Sequence, residues 1–267
     1  MGSIPEFTGI NVEPIMTIVR ILCMAVFPSL ALFAGNTTTP KTETLPDNLT
    51  GIFQVSTFNR LAKGRSTGLL SIKELMKRGT FGVGTFDQTE GEMIAVDGKA
   101  YHISQTGAVT PANPSHTTPF AVVVPFTPLF SHPMQRISGL NALEKSVKGM
   151  ITNTSIPHAI RIDGEFLNLR LRSVRKSLPN TPLSKDLKDQ PQYRLSRAKG
   201  TIVGYVFPPS LAGTTDTSGP HFHFINEERT VGGHVLDLAV MSAHARFQPC
   251  HTLTIYLASE KEEADNQ

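Results

Sequence analysis

Tryptophan is absent from this 267-residue chain, and cysteine occurs only as Cys23 and Cys250. Two thiols cannot build a thiolate-rich zinc site. Cys23 lies in a segment read below as a signal peptide. With that segment removed, Cys250 stands alone and no intrachain disulfide can form. Charge of one sign is also scarce: 25 Lys and Arg against 22 Asp and Glu leave a formal +3. The basic residues are scattered rather than gathered in a stripe, which excludes nucleic acid as the partner class. No apolar run reaches the roughly 18 residues that a stable membrane span needs. No internal repeat is present. What the chain does have is 39% hydrophobic and 18% charged residues, an ordinary globular composition with length for one large domain or two small ones. Fifteen Phe and 19 Pro, beside no Trp, suit strands and turns better than a helical bundle.

Residues 1–15 have the character of a cloning leader. Residues 16–35 fit a secretory signal peptide: Met16, then Arg20, then an apolar run over 21–33 interrupted by Pro28 and closed by Ala34 and Gly35. This predicts secretion; the alternative is a cytoplasmic protein in which segment 21–34 is not a signal. Residues 36–50 are polar and aperiodic, a flexible arm. Asn-x-Ser/Thr sequons begin at Asn36, Asn48 and Asn153.

From residue 51 the pattern is of short elements. A helix is expected over 71–79, with Ser71 capping, Glu74 three residues on and Gly79 ending it. Strands are expected over 82–86, 92–96 and 99–103, the last two joined by an Asp97-Gly98 hairpin turn. A buried strand over 120–126 and a helix over 138–150, with Leu140, Leu143 and Val147 on one side, follow. Segments 159–162 and 165–174 read as a second hairpin around Asp163-Gly164. The polar, proline-containing stretch 176–199 reads as a long connector dividing two sheets, so that 51–175 forms one unit and 176–258 the other. Strands are expected at 201–207, 221–225, 233–240, 243–247 and 252–257, with a loose charged tail over 259–267. The fold class is α+β, built mainly on antiparallel or mixed sheet with few helices.

Chemistry concentrates in Gly219-Pro-His221-Phe-His223-Phe-Ile225 and Gly232-Gly233-His234-Val-Leu-Asp237. Side chains at i and i+2 of a strand share a face, so His221 and His223 point one way while Phe222 and Phe224 point into core. The intervening residues can turn the chain back and set His234 across from the pair, about 4.5–5.5 Å away. Three imidazoles so placed can converge on one zinc ion per chain. With no fourth sulfur ligand they leave positions for water and substrate, the pattern of a catalytic rather than structural site. The bland alternative is three satisfied polar histidines. His102, His116, His132, His158, His244 and His251 show no clustering. A cupin barrel also uses His-x-His followed by an acid, and Glu227 follows here. However, Thr215 and His234 stand where cupins carry glycine, and the second cupin motif is missing.

The run Thr80-Phe-Gly-Val-Gly-Thr-Phe-Asp-Gln-Thr-Glu-Gly-Glu-Met-Ile-Ala-Val-Asp-Gly98 resembles the alpha-acetolactate decarboxylase family. The resemblance continues at Thr118-Pro-Phe-Ala-Val-Val, Ala159-Ile-Arg-Ile-Asp-Gly-Glu-Phe, Arg172-Ser-Val-Arg and Gly200-Thr-Ile-Val-Gly. It runs through His221-Phe-His-Phe to Arg229-Thr-Val-Gly-Gly-His234-Val-Leu-Asp237, covering roughly 51–240. It implies two β-sheet domains with the metal in the C-terminal sheet, and conversion of 2-acetolactate to acetoin and carbon dioxide. It also implies zinc ligands His221, His223 and His234, an acidic residue Glu92 beside the metal, an active-site Arg172 and a pocket-lining Thr85. A homodimer is one assembly open to such a protein. Two positions depart from the family. Thr89-Glu90 replaces its Leu-Asp before the Gly-Glu pair. The second glutamate that the family draws from its C-terminal segment has only Glu260, Glu262 and Glu263 as candidates, and none aligns with it.

The implied chemistry is coherent. Loss of carbon dioxide leaves an electron pair that needs a sink, and zinc chelated by the ketone and hydroxyl oxygens can stabilise the resulting enediolate until it is protonated. Arg172 would orient the substrate carboxylate, and Glu92 would carry a proton. Two other readings share the histidines: a zinc hydrolase with Glu92 as base, and a secreted metal-binding protein without turnover.

Overall fold

The computed structural model describes residues 51–178, 180–216 and 219–259. The expected leader, signal peptide and arm, and Glu260, Glu262 and Glu263 in the tail, lie outside the described residues. The chain opens with β1 (Gly51–Val55), α1 (Phe58–Ala62), β2 (Leu70–Ser71), α2 (Ile72–Leu75), β3 (Phe81–Thr85) and β4 (Glu92–Val96). It goes on through β5 (Lys99–Ile103), β6 (Val109–Pro111), β7 (Thr117–Thr118), β8 (Ala121–Val124), β9 (Phe130–Ser138) and α3 (Leu140–Met150). The remainder is β10 (His158–Arg172), α4 (Leu183–Asp186), β11 (Gln192–Phe207), β12 (Gly219–Asn226), β13 (Gly232–Pro249) and β14 (Thr252–Tyr256).

Two sheets carry the fold. The first runs β14-β1-β8-β3-β4-β5-β6, antiparallel except where β14 joins β1 in parallel. The second runs β10-β11-β12-β13-β9, entirely antiparallel, and β13 also pairs with β10, so four strands close into a ring. The expected α+β class with mixed and antiparallel sheet is what forms. The expected boundary at residue 175 is not. β9 and β10 precede it yet belong to the second sheet, and β14 follows it yet belongs to the first. Hydrogen bonding between distant strands sets sheet membership, and a polar connector does not report it.

Alternation fixes the layers. On β8, Val122 and Val124 face the second sheet while Ala121 and Val123 face α2. On β3 and β4, Phe81, Val83, Ile94 and Val96 pack between the sheets against Val203, Tyr205, Phe207 and Ile225. Each such side chain, fully buried, stabilises by about 1.5–3 kcal/mol. The Tyr205 hydroxyl donates across the gap to the Phe81 carbonyl at 3.1 Å, so this buried polar group is satisfied. The ring's interior is a separate core of Ile160, Ile162, Phe166, Leu169, Leu171, Phe222 and Phe224, closed by Leu143 and Val147 of α3.

Several local expectations hold. Asp97 and Gly98 turn β4 into β5 with φ of 54° and 74°, as a primed turn requires. The Ser71 hydroxyl caps α2 by accepting from the Glu74 N–H at 3.3 Å, although the helix ends four residues before Gly79. The Asp163-Gly164 hairpin does not form: β10 runs straight through it. Gly164 pairs with Gly200 on one side and Ala243 on the other, and a β-carbon there would strike the Ser242 carbonyl. The glycine serves close approach rather than a turn. The two strands expected over 233–247 are likewise one strand, with Met241 bulged out and exposed.

A second irregularity matters more. On β10, Ile160, Ile162 and Phe166 face the ring interior, but so do Leu169 and Leu171. The parity flips at Asn168, which has φ of 50° at a register shift against β13. A bulge reverses which face the later residues use. Without it, Arg172 would point into the apolar core.

Asp163 supports this sheet from outside. It accepts from Arg161 Nε at 2.9 Å, Thr201 Oγ1 at 2.8 Å and Arg246. Burial pushes its carboxyl up, but these donors outweigh burial and hold it below its ordinary value. A depressed acid stabilises the folded state above the unfolded value, near pH 4, and loses that contribution as pH falls through the folded value. Asp163→Asn is therefore expected to cost about 1–3 kcal/mol at neutral pH. In urea unfolding at a series of pH values, the gap from wild type should close below about pH 4.

Candidate active site

Thr85 ends β3 and Glu92 begins β4, directly opposite it. Period-two alternation puts Thr85 on the face of Phe81 and Val83, and Glu92 on the face of Ile94 and Val96, so both look toward the second sheet. From that sheet His221 and His223 share a face of β12 with Ile225, looking back. His223 lies directly opposite His234 of β13, and Arg172 of β10 lies opposite His234 on its other side. The structure thus brings together all six residues that the sequence nominates. They meet at the seam where the two sheets face each other, with the three histidines on the second sheet.

The imidazoles sit close. Ring centroids are 5.0 Å apart for His221 and His223, 4.8 Å for His221 and His234, and 5.3 Å for His223 and His234. One candidate donor atom from each lies within 4.8 Å of the others. Two of the rings have their second nitrogen occupied: His223 Nδ1 donates to the Met93 carbonyl at 3.2 Å, and His221 Nδ1 donates to the Asp216 carboxylate. Their Nε2 atoms then face each other at 3.0 Å. Two lone pairs so directed repel unless a proton on His221 or a metal ion lies between them. Tetrahedral zinc with bonds of 2.0–2.1 Å would separate two such nitrogens by about 3.3 Å. Nδ1 of His234 is buried without a hydrogen-bond partner, a cost that ligation would remove. The residues present fit a metal ion.

Each sheet adds one charge, Glu92 from the first and Arg172 from the second. Arg172 donates from one guanidinium nitrogen to Glu92 Oε1 at 2.6 Å, and Glu92 Oε2 lies 3.6 Å from His223 Nε2. Burial raises the Glu92 carboxyl above its ordinary value, against the pull of Arg172 and His221. Burial, with the charges of Arg172 and His221, pushes the His223 and His234 imidazoles well down, which keeps them neutral and able to ligate. At His221 burial acts in the same sense, but Asp216 prevails and the imidazole is raised.

Local backbone holds this arrangement. Gln88 and Thr89 adopt positive φ of 55° and 54°, an uncommon conformation for such residues, in the turn that leads into Glu92. The turn is stitched to the chain after Arg172: the Ser177 N–H donates to Gln88 O at 2.7 Å and the Gly91 N–H to Val174 O at 3.1 Å. The Thr85 hydroxyl donates to Gly91 O at 2.7 Å, so toward the cavity its oxygen offers only lone pairs. The cavity itself is small, about 70 Å³. Its polar lining includes Thr85, Glu92, Arg172, His221 and His223, and its apolar lining includes Phe58, Leu61, Phe120, Leu183 and Leu187.

Sequence reasoning missed Asp216, the Met93 carbonyl and the apolar wall. Asp216 precedes His221 by five residues in a loop with no motif, and a backbone carbonyl carries no sequence signal. Leu183 and Leu187 belong to the connector and α4.

Three clustered imidazoles that could hold a metal ion, a buried Arg172–Glu92 pair and a cavity beside them are the features of an enzyme site rather than of a purely structural metal site. The sequence model of the alpha-acetolactate decarboxylase family matches residues 52–266. An alpha-acetolactate decarboxylase from Brevibacillus brevis is 32% identical over 255 residues, covering 91% of this chain and 89% of that protein. One from Bacillus subtilis is 36% identical over 187 residues, covering 70% and 73%. The crystal structure of alpha-acetolactate decarboxylase from Bacillus subtilis strain 168 superposes with a TM-score of 0.77 at 32% identity, over 81% of this chain and 93% of that one. The chain belongs to the alpha-acetolactate decarboxylase family.

Purified protein dialysed against a divalent metal is expected to retain about one equivalent per chain. His223→Ala and His234→Ala should each leave less than about one tenth of that by elemental analysis, with circular dichroism unchanged, because each removes one of the three candidate ligands found among the described residues. Full retention by either variant would exclude that residue as a ligand.

Proposed function

We propose that this protein decarboxylates 2-acetolactate to acetoin and carbon dioxide, with a zinc ion as its cofactor. The observation that carries the reading is the clustering of three histidines beside the Arg172–Glu92 pair, with His221, His223, Arg172 and Glu92 lining one cavity. Membership of the family supplies the substrate. Imidazole nitrogens suit zinc, and Cys250, buried and far from these residues in sequence, offers no competing thiolate.

Zinc held by His221, His223 and His234 supplies Lewis-acid stabilisation of the charge that develops on substrate oxygen as carbon dioxide leaves. The chain's own residues do the rest. The guanidinium of Arg172 keeps donors beyond the one given to Glu92, and a fixed fork suits a carboxylate. It orients the substrate's carboxylate before the carbon–carbon bond breaks. The electrons of that bond remain on the former carbinol carbon and its neighbouring ketone, and a proton must then reach that carbon. Glu92, with its carboxyl raised by burial, takes up a proton readily and is placed to deliver one. Thr85, able only to accept, suits a substrate hydroxyl. Phe58, Leu61, Phe120, Leu183 and Leu187 face the substrate's alkyl groups and keep bulk water from the carbanionic carbon. The proposal includes export, on the strength of Arg20 and the apolar run over 21–33.

Arg172→Ala, with metal content unchanged, is expected to lower kcat/KM for acetolactate by about 10²–10³-fold, as loss of one oriented donor does. Glu92→Gln keeps the shape but not the proton, so kcat should fall more than KM changes. Both are read by acetoin formation and carbon dioxide release. Wild-type protein that binds zinc yet releases no carbon dioxide from acetolactate would sink the proposal, and ester or amide cleavage in its place would favour a hydrolase.

A further inference from the structure

We propose that Asp216 is the positioning residue of the metal centre, and that the first sheet, through the loop bearing Asp216, sets the orientation of a histidine on the second. The inference rests on reading His221, His223 and His234 as ligands.

Each ligand imidazole must present one nitrogen to the ion and dispose of the other. The three do so differently. His223 gives its Nδ1–H to the Met93 carbonyl at 3.2 Å. At His234 it is Nδ1 that lacks a hydrogen-bond partner and is free to face the ion. His221 alone is supported by a carboxylate, that of Asp216, which is only 7% exposed. A carboxylate behind an imidazole fixes the tautomer, locks the ring's rotation and makes the facing nitrogen a stronger donor. His221 needs this more than His223 does. It has 23% of its side chain exposed against 2% for His223, so packing restrains it less.

Asp216 is itself held from the first sheet. The Gly213 N–H donates to the Asp216 carbonyl at 2.6 Å, closing the loop on itself. The first N–H groups of α1 then grip that loop: Phe58 donates to Thr214 O at 2.9 Å and Asn59 to Gly213 O at 2.8 Å. These are donors a helix start leaves without intrahelical partners. Gln54, fully buried on β1, adds a side-chain donor to the same Thr214 carbonyl at 2.7 Å. The path from β1 and α1 through Thr214 and Asp216 to His221 is therefore continuous hydrogen bonding and short backbone.

The test uses the full chain and zinc alone. Zinc affinity is measured by competition with a chromophoric chelator for wild type, Asp216→Ala, Asp216→Asn and Asp216→Glu. Melting of the metal-free forms and the visible spectrum of the cobalt(II)-substituted forms are recorded in parallel. Asp216→Ala is expected to weaken zinc binding by about 10–100-fold and to shift the cobalt bands, with metal-free melting unchanged. Asp216→Asn should fall between Asp216→Ala and wild type, and Asp216→Glu should regain part of the loss. Affinity for all three variants within about threefold of wild type, or an unshifted cobalt spectrum, would overturn the role. If Asp216→Ala fails to fold, Asp216→Asn decides by the same criteria. Wild-type protein that binds no zinc would instead overturn the metal-centre reading itself, and this inference with it.

Discussion

Two imidazole nitrogens held 3.0 Å apart, each with its ring's other nitrogen already hydrogen-bonded, form an arrangement that needs a proton or a metal ion between them. Much of the surrounding structure serves to hold that repulsive pair in place. The Met93 carbonyl and the Asp216 carboxylate point the lone pairs inward. Burial keeps His223 and His234 neutral, so a proton competes poorly for the position of a metal. The positive charge of Arg172 is partly offset by Glu92 at 2.6 Å.

The position of that pair depends on strand parity. Thr85 and Glu92 reach the seam because they share faces with the apolar residues that pack the sheets together. His221 and His223 reach it because Phe222 and Phe224 occupy the ring interior. Arg172 is the exception that shows the mechanism. It arrives on the correct face only because Asn168, at positive φ, inserts a bulge and reverses the alternation of β10. The polar site is thus a by-product of where hydrophobic residues must go, corrected at one residue.

The cavity divides the work between the strands and the segments that join them. Strands supply Glu92, Arg172 and the three histidines, and they are rigid enough to hold a short ion pair beside a candidate metal site. The short helices α1 and α4 and the residue that ends α4 supply much of the apolar wall through Phe58, Leu61, Leu183 and Leu187, and a loop supplies one acid, Asp216. Loops tolerate change where strands do not. The chemistry is therefore fixed by the sheets, and the shape of the substrate's apolar surroundings is left to the joining segments.

Local chemistry was legible in the sequence alone. The Asp97-Gly98 turn, the Ser71 cap, the Leu143–Val147 face of α3 and the alternation through His221-Phe-His223 all depend on neighbours a few residues apart, and each formed as its residues dictate. His234 opposite His223 was legible too, because a short turn leaves few ways to pair the strands. What only the tertiary structure decided were the matters settled by distant partners. Asp163-Gly164 looks like a turn and is instead a crossing point, because strands from positions 200 and 243 approach it on both sides. The division at residue 175 failed because β9, β10 and β14 pair across it. Asp216 and the Met93 carbonyl gained their roles only when one sheet was laid on the other. Turn propensity and period-two patterning are properties of a segment and can be read from it. Sheet membership, bulges and the partners of a ligand are free-energy differences between arrangements of the whole chain, and no segment carries them.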